Sequence, residues 1–170
     1  ATPTDPTPNP SNLAYGVSAG DDFVPSSAGS MSYEFSDGSM RLVSSGITSN
    51  AGGDVIHGPY IISDDSVSLS VGDTVTFNWK AANGDDAFDV YAYLLNTADG
   101  STIELLDETA DGSTEFAPAK VNITAAGDYK FVFVSGTFDY TFGQALGASL
   151  YIDDIDVESA NGPEVVVEYI

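Results

Sequence analysis

Cysteine is absent from this sequence, histidine occurs once, and basic residues number four. Without cysteine there are no disulfides and no thiolate metal sites, so redox compartment cannot be read from the chain. A lone His57 excludes the imidazole clusters that zinc and similar metals require. Arg41, Lys80, Lys120 and Lys130 stand against 26 Asp and Glu, for a formal charge of −22. A surface of that sign repels nucleic acid and anionic lipid, so neither is an expected partner. No apolar run approaches the roughly 20 residues of a membrane helix, and no membrane insertion is expected.

What is present argues for a folded domain. Apolar residues make up 42% of the chain, with nine Tyr and nine Phe, whereas disordered acidic chains are poor in such residues. The acidity is therefore expected to be offset by bound metal, by salt, or by both. The opening "ATPTDPTPNPSN" lacks the basic region and apolar core of a signal peptide. It reads as a Pro/Thr-rich linker over residues 1–12, which leaves 13–170 as a single domain.

Alternation dominates from residue 31 onward. "DTVTFNW" puts Val75, Phe77 and Trp79 on one face, and "AFDVYAYLL" does the same with Phe88, Val90, Ala92 and Leu94. Similar runs are "SYEF", "MRLVSSGI", "GPYIIS", "SVSLSV", "TIELLD", "KVNIT", "DYKFVFVSG", "ASLYIDDIDV" and "EVVVEYI", separated by turns such as "SVGD", "NGDD" and "TADG". Short strands at near-regular spacing predict an all-β fold: a two-sheet antiparallel β-sandwich, jelly-roll-like. The stretch from Gly46 to Gly58 is expected to be loop.

One strand breaks its own pattern. Leu150 and Ile152 share a face, yet Ile155 and Val157 are offset from them by an odd number of residues. A β-bulge at Asp153 and Asp154 restores the inward face and frees a carboxylate to turn aside. The doublet is then either a metal-ligand pair or a pair of solvated edge residues.

Clustered acids flanked by glycine suit Ca²⁺, which takes about six to eight oxygen ligands. The candidate metal residues are Asp85, Asp86 and Asp89 in "NGDDAFD", Asp139 in "TFDYTFG", Asp153 and Asp154, and Glu34 with Asp37 in "YEFSDG". Asp64 and Asp65, beside Tyr60, form a further acidic pair. Simple calcium templates fail: the loop opening at Asp107 has Pro118 where a helix-hand loop needs Glu, and glycine–aspartate nonapeptide repeats are missing. Any calcium must be held by loops distant in sequence. If the hairpins at "NGDDAFD" and "TFDYTFGQALG" open at the same end, Asp85, Asp86 and Asp139 converge, with Gln144 as a neutral donor. Gly143 and Gly147 would then let backbone approach a ligand closely. Catalysis is not expected, because His57 sits beside a Gly-Pro turn and no nucleophile-elbow pattern surrounds any Ser.

"SVSLSVGDTVTFNWKAANGDDAFDVYAYLLN", followed by "AAGDYKFVFVSGTFDYTFGQALGASLYIDDIDV", resembles the ligand-binding β-sandwich module of giant RTX-type bacterial biofilm adhesins, among them the peptide-binding domains of the Marinomonas ice-binding adhesin and of Vibrio adhesins. The resemblance spans about residues 59–157, and "FVSGTFD" with "GASLYIDDI" carries most of it. It implies an extracellular, non-enzymatic module stabilised by Ca²⁺, attached to neighbouring domains of the same adhesin. It further implies that a loop-bound calcium helps hold the free C-terminal end of a peptide on a partner cell. The ligand-binding residues are then Asp86, Asp139, Tyr140, Phe142, Gly143, Gln144 and Gly147. Phe142 stands where the family more often has a second glycine before Gly143, which is expected to reshape the pocket. The alternatives are a calcium-dependent carbohydrate-binding, lectin-like module, to which "YEFSDGSMRL" and "LYIDDI" are loosely similar, and a structural or dimerising domain. A glycan on the partner surface would stack on exposed aromatics, for which Tyr140, Phe142 and Tyr60 are the expected platforms.

Overall fold

The computed structural model describes residues 30–36, 39–48, 55–63, 65–84, 86–138, 145–160 and 164–166. For 30–36, 47, 48, 55–58, 145, 146 and 164–166 the description is of the backbone alone. Every regular element among the described residues is a strand. In chain order these are β1 (Ser30–Ser36), β2 (Ser39–Thr48), β3 (Val55–Ile62), β4 (Val67–Leu69), β5 (Thr74–Asn83), β6 (Ala87–Asn96), β7 (Thr102–Ala110), β8 (Ala117–Asn122), β9 (Gly127–Phe138), β10 (Ala145–Glu158) and β11 (Glu164–Val166). The expected linker at 1–12 lies outside the described residues. Strand, not loop, occupies Gly46–Thr48 and Val55–Gly58, because both ends of that stretch find partners, Thr48 opposite Ala145 and Val55 opposite Phe138.

All pairing is antiparallel, in two sheets. One sheet has six strands in the order β1-β2-β10-β5-β8, with β11 on β10; the other has five in the order β3-β9-β6-β7, with β4 on β9. The apolar positions read from alternation meet between them. Phe77 of β5 touches Phe133 of β9 edge-on at 5.6 Å, and Phe133 stacks with Phe131 at 6.2 Å. Val75, Phe88, Val90, Leu94, Leu42 and Leu150 complete a core in which each is at most 2% exposed. Large side chains buried in this way contribute roughly 1.5 to 3 kcal/mol each, which makes this layer the main source of stability.

The five-stranded sheet also buries apolar residues on its other face. Tyr60, Ile62, Tyr93, Val132 and Val134 form a second cluster there, joined by the half-buried Tyr91 and Leu95. This explains the uninterrupted "FVFV" of β9: both faces of the strand are buried, so alternation disappears.

The ends of the sandwich differ. Asn83 pairs with Ala148, Ala87 and Val55 with Phe138, and Phe88 with Ala110. The connections β2–β3, β5–β6, β7–β8 and β9–β10 therefore all leave from one end, called here the loop end.

Candidate functional site

Backbone geometry at the loop end is set by Gly84 and Gly147. The Gly147 carbonyl accepts hydrogen bonds from the N–H groups of Gly84, at 3.0 Å, and Asp86, at 3.2 Å. A Cβ on Gly84 would lie 3.1 Å from the Gly147 carbonyl carbon, so a side chain there would push the two segments apart. At Gly147 the β10–β2 register also shifts, between Leu146 and Ala148. The "NGDDAFD" and "TFDYTFGQALG" segments thus meet at the same end through Gly147, but they are not the expected hairpins: β5 and β10 belong to one sheet and β6 and β9 to the other, so both connections cross between sheets. Gly147 does allow a close backbone approach, but to the β5–β6 turn of the chain itself.

Asp86 sits at this junction, only 6% exposed, and its Oδ1 accepts from the Ala87 N–H at 2.8 Å. Burying a carboxylate is costly unless it is bonded or paired, so its position beside the junction is the main chemical feature of this end. Nearby positions on the inner faces are also polar: Ser44, Ser135 and Thr137 are each at most 1% exposed. Thr137 donates to the Ala87 carbonyl at 2.9 Å, whereas the buried Ser135 hydroxyl has no hydrogen-bond partner among the described residues. The β7–β8 connection closes over β5, where Asn83 donates to Asp111 at 2.9 Å, the Thr114 N–H donates to the Ala81 carbonyl at 2.8 Å, and Thr114 Oγ1 accepts from the Ala81 N–H at 2.9 Å.

The remaining expected residues are dispersed. Asp37, Asp64, Asp85, Asp139, Tyr140, Phe142, Gly143 and Gln144 lie outside the described residues. Asp89 is held away from Asp86, on β6 opposite Thr109 of β7, whose hydroxyl donates to it. The bulge in β10 falls one residue later than expected: Asp153 stays in register opposite Asn78, the β10–β5 register shifts between Asp153 and Asp156 so that Asp154 and Ile155 together oppose Phe77, and Ile152 and Ile155 are both buried. Asp154 takes φ 52, a left-handed conformation in which Asp is among the better-tolerated residues. Its N–H donates to Asp153 Oδ1 at 2.9 Å, and its Oδ2 accepts from Asn78 at 3.3 Å.

Glu34 pairs with Arg41 across β1 and β2, and β2 separates β1 from β10. Glu34 and Asp154 are therefore not on neighbouring strands. Asp65 is exposed, while Tyr60 is 2% exposed and offers no stacking platform. Among the described residues no group of three or more His, Asp or Glu is poised to hold a metal ion.

Two features escaped the sequence reading. Asp73, 7% exposed, accepts from the Ser70 N–H at 2.8 Å and the Ala160 N–H at 3.1 Å, joining the end of β10 to the turn before β5. The Gly-Asp of "SVGD", with Gly72 at φ +93, signalled the turn but not its distant partner. The second is an outward row of cations and rings on the six-stranded sheet. It depends on strand order, which no local pattern reveals.

No protein-family model and no curated protein matches the chain. Solved structures similar to it include a family 4 carbohydrate-binding module, 15% identical, with 81% of this chain and 94% of that one covered and a TM-score of 0.43. Others are family 29 carbohydrate-binding module variants: one in complex with cellulohexaose, 13% identical, covering 87% and 92%, at TM-score 0.42, and one with mannohexaose, 14% identical, covering 87% and 92%, at 0.40. Similarity at this level does not fix a shared function. The resemblance to RTX adhesin modules has no counterpart in these comparisons.

Proposed function

We propose that the chain is a non-catalytic, calcium-dependent adhesion module that captures the free C-terminal end of a peptide on a partner cell at the loop end of its sandwich. The observation that carries this reading is the junction at Gly147, where the start of β10 is bonded to the β5–β6 connection beside the buried Asp86. Carboxylate and amide oxygens are the donors of this region, and such a set suits a hard cation and not a transition metal. Asp86, with Asp85, Asp139 and Gln144, would hold Ca²⁺. When bound, the ion supplies a local positive charge that can accept an incoming carboxylate on an otherwise repelling surface. The chain's own part is to hold its acids on tethered connections and to keep backbone close to the ligand. An extracellular setting rich in calcium fits a net charge of −22.

A second reading, a calcium-dependent carbohydrate-binding module, is favoured by Phe116. This ring in the β7–β8 connection is 52% exposed at the same end of the sandwich. The test is a library of peptides with free C-termini and a glycan array, each probed in calcium and in chelator. Calcium-dependent peptide capture that disappears when the C-terminus is amidated supports the first reading. Glycan hits alone replace it with the second, and silence in both screens leaves a structural or dimerising domain.

A further inference from the structure

The outer face of the five-stranded sheet is apolar and covered. Two neighbouring rungs cross it: Tyr60, Val134, Tyr91 and Asp107 in one, Ile62, Val132, Tyr93 and Glu104 in the other. Val132 and Val134 are 0% exposed, Tyr60 and Ile62 2%, and Tyr93 7%. Tyr91 is half-buried, and Asp107 and Glu104 on β7 are exposed. A side chain on an open sheet face keeps its outer side in water, so these values outline something lying over β3, β9 and β6 that ends before β7.

Nothing among the described residues supplies that cover. Every strand belongs to one of the two sheets, and the described connections are bonded at strand ends or, for β7–β8, over β5. Ile62 and Val132 lie seven and six residues from the loop-end termini of β3 and β9, roughly 20 Å away. The stretches 49–54 and 139–144 start and finish at that end, and six residues span at most about 22 Å, too little to go out and return. Residues 161–163 and 167–170 flank β11, which belongs to the other sheet, and are too short to round the sandwich.

That leaves the residues before β1. Positions 1–12 hold no large apolar side chain, whereas 13–29 hold Leu13, Tyr15, Val17, Phe23 and Val24. Leu13, Tyr15 and Val17 alternate with small residues, a spacing suited to an extended segment laid on a flat apolar surface. The chain also enters at the right edge, because β1 lies against β3, the strand that carries Tyr60 and Ile62.

We propose that residues 13–29 lie as a strap across Tyr60, Ile62, Tyr93, Val132 and Val134, with Leu13, Tyr15 and Val17 as its apolar side. The strap gives the five-stranded sheet a third layer and shields a contiguous apolar face that would otherwise associate with other proteins. This inference is independent of the loop-end reading.

The test is nitration of tyrosine by tetranitromethane in the full chain, read residue by residue by mass spectrometry. In wild type, Tyr60 and Tyr93 should resist. In the triple variant Leu13→Ser, Tyr15→Ser, Val17→Ser both should react at least about tenfold faster, as expected for local uncovering. Tyr129, buried between the sheets, should stay unreactive in both proteins and so reports that the sandwich is intact. If Tyr129 reacts too, the variant has unfolded, and wild type decides by chymotrypsin: cleavage after Tyr15 should be at least about tenfold slower than in a synthetic peptide of residues 8–29. Protection of Tyr60 and Tyr93 that persists in the triple variant, or cleavage after Tyr15 as fast as in the peptide, would overturn the proposal.

Discussion

Replacing Asp154 separates a backbone role from a metal role. At φ 52, with one hydrogen bond from Asn78 at 3.3 Å, the side chain makes two contributions. Alanine keeps the Cβ that disfavours left-handed backbone, loses the local polar compensation of Asp, and loses the Asn78 bond. Together these cost about 1 to 2 kcal/mol. For a chain of this size that lowers the melting temperature by about 2 to 8 °C. Glycine loses the same hydrogen bond but relieves the backbone, so Asp154→Gly should melt within about 2 °C of wild type. The assay is thermal unfolding of the two variants and wild type, in calcium and in chelator. The bulge account requires Ala to fall below Gly by the same margin in both buffers. Equal losses for Ala and Gly, seen only in calcium, would refute it and make Asp154 a calcium ligand.

Three further outcomes follow from the same structure. Chelator should lower the melting temperature of the wild-type chain by about 8 to 16 °C, since an ion at a thousandfold excess over Kd contributes about 4 kcal/mol; an unchanged curve would remove the metal from the account. Phe133→Ala removes the ring that packs on both Phe77 and Phe131, and should cost about 3 to 5 kcal/mol in denaturant unfolding. Burial, with Tyr93, Asp89 and Asp107 close by, raises the Tyr91 phenol above its ordinary value of 10.0. Its folded pKa lies above its unfolded one, so its contribution is complete below about pH 10 and lost as pH rises further, which denaturant melts from about pH 8 to about pH 11 will show.

The strands were legible because a half-buried strand writes its burial into the sequence. Val75 and Phe77 alternate with the polar Thr74, Thr76 and Asn78, and the phase change between Ile152 and Ile155 marked a bulge in β10. Alternation says nothing about which strands adjoin. For that reason nothing local showed that β2 stands between β1, which carries Glu34, and β10, which carries Asp154, and the row of Arg41, Tyr151 and Lys80 went unseen. Tyr60 reads as a possible platform in a Gly-Pro-Tyr turn, yet the second apolar layer buries it. Asp86 was legible only as one of many turn acids. Its burial depends on the Gly84–Gly147 contact, which joins segments some sixty residues apart.

Calcium binding itself tests the central claim most directly. In a calorimetric titration with Ca²⁺, wild type should show saturable binding, and the peptide ends captured in the library screen should bind only to the loaded protein. The double variant Asp86→Asn with Asp139→Asn should lose both responses while its chelator-state melting curve matches that of wild type. Calcium binding and peptide capture that survive in that variant would contradict a site at the loop end.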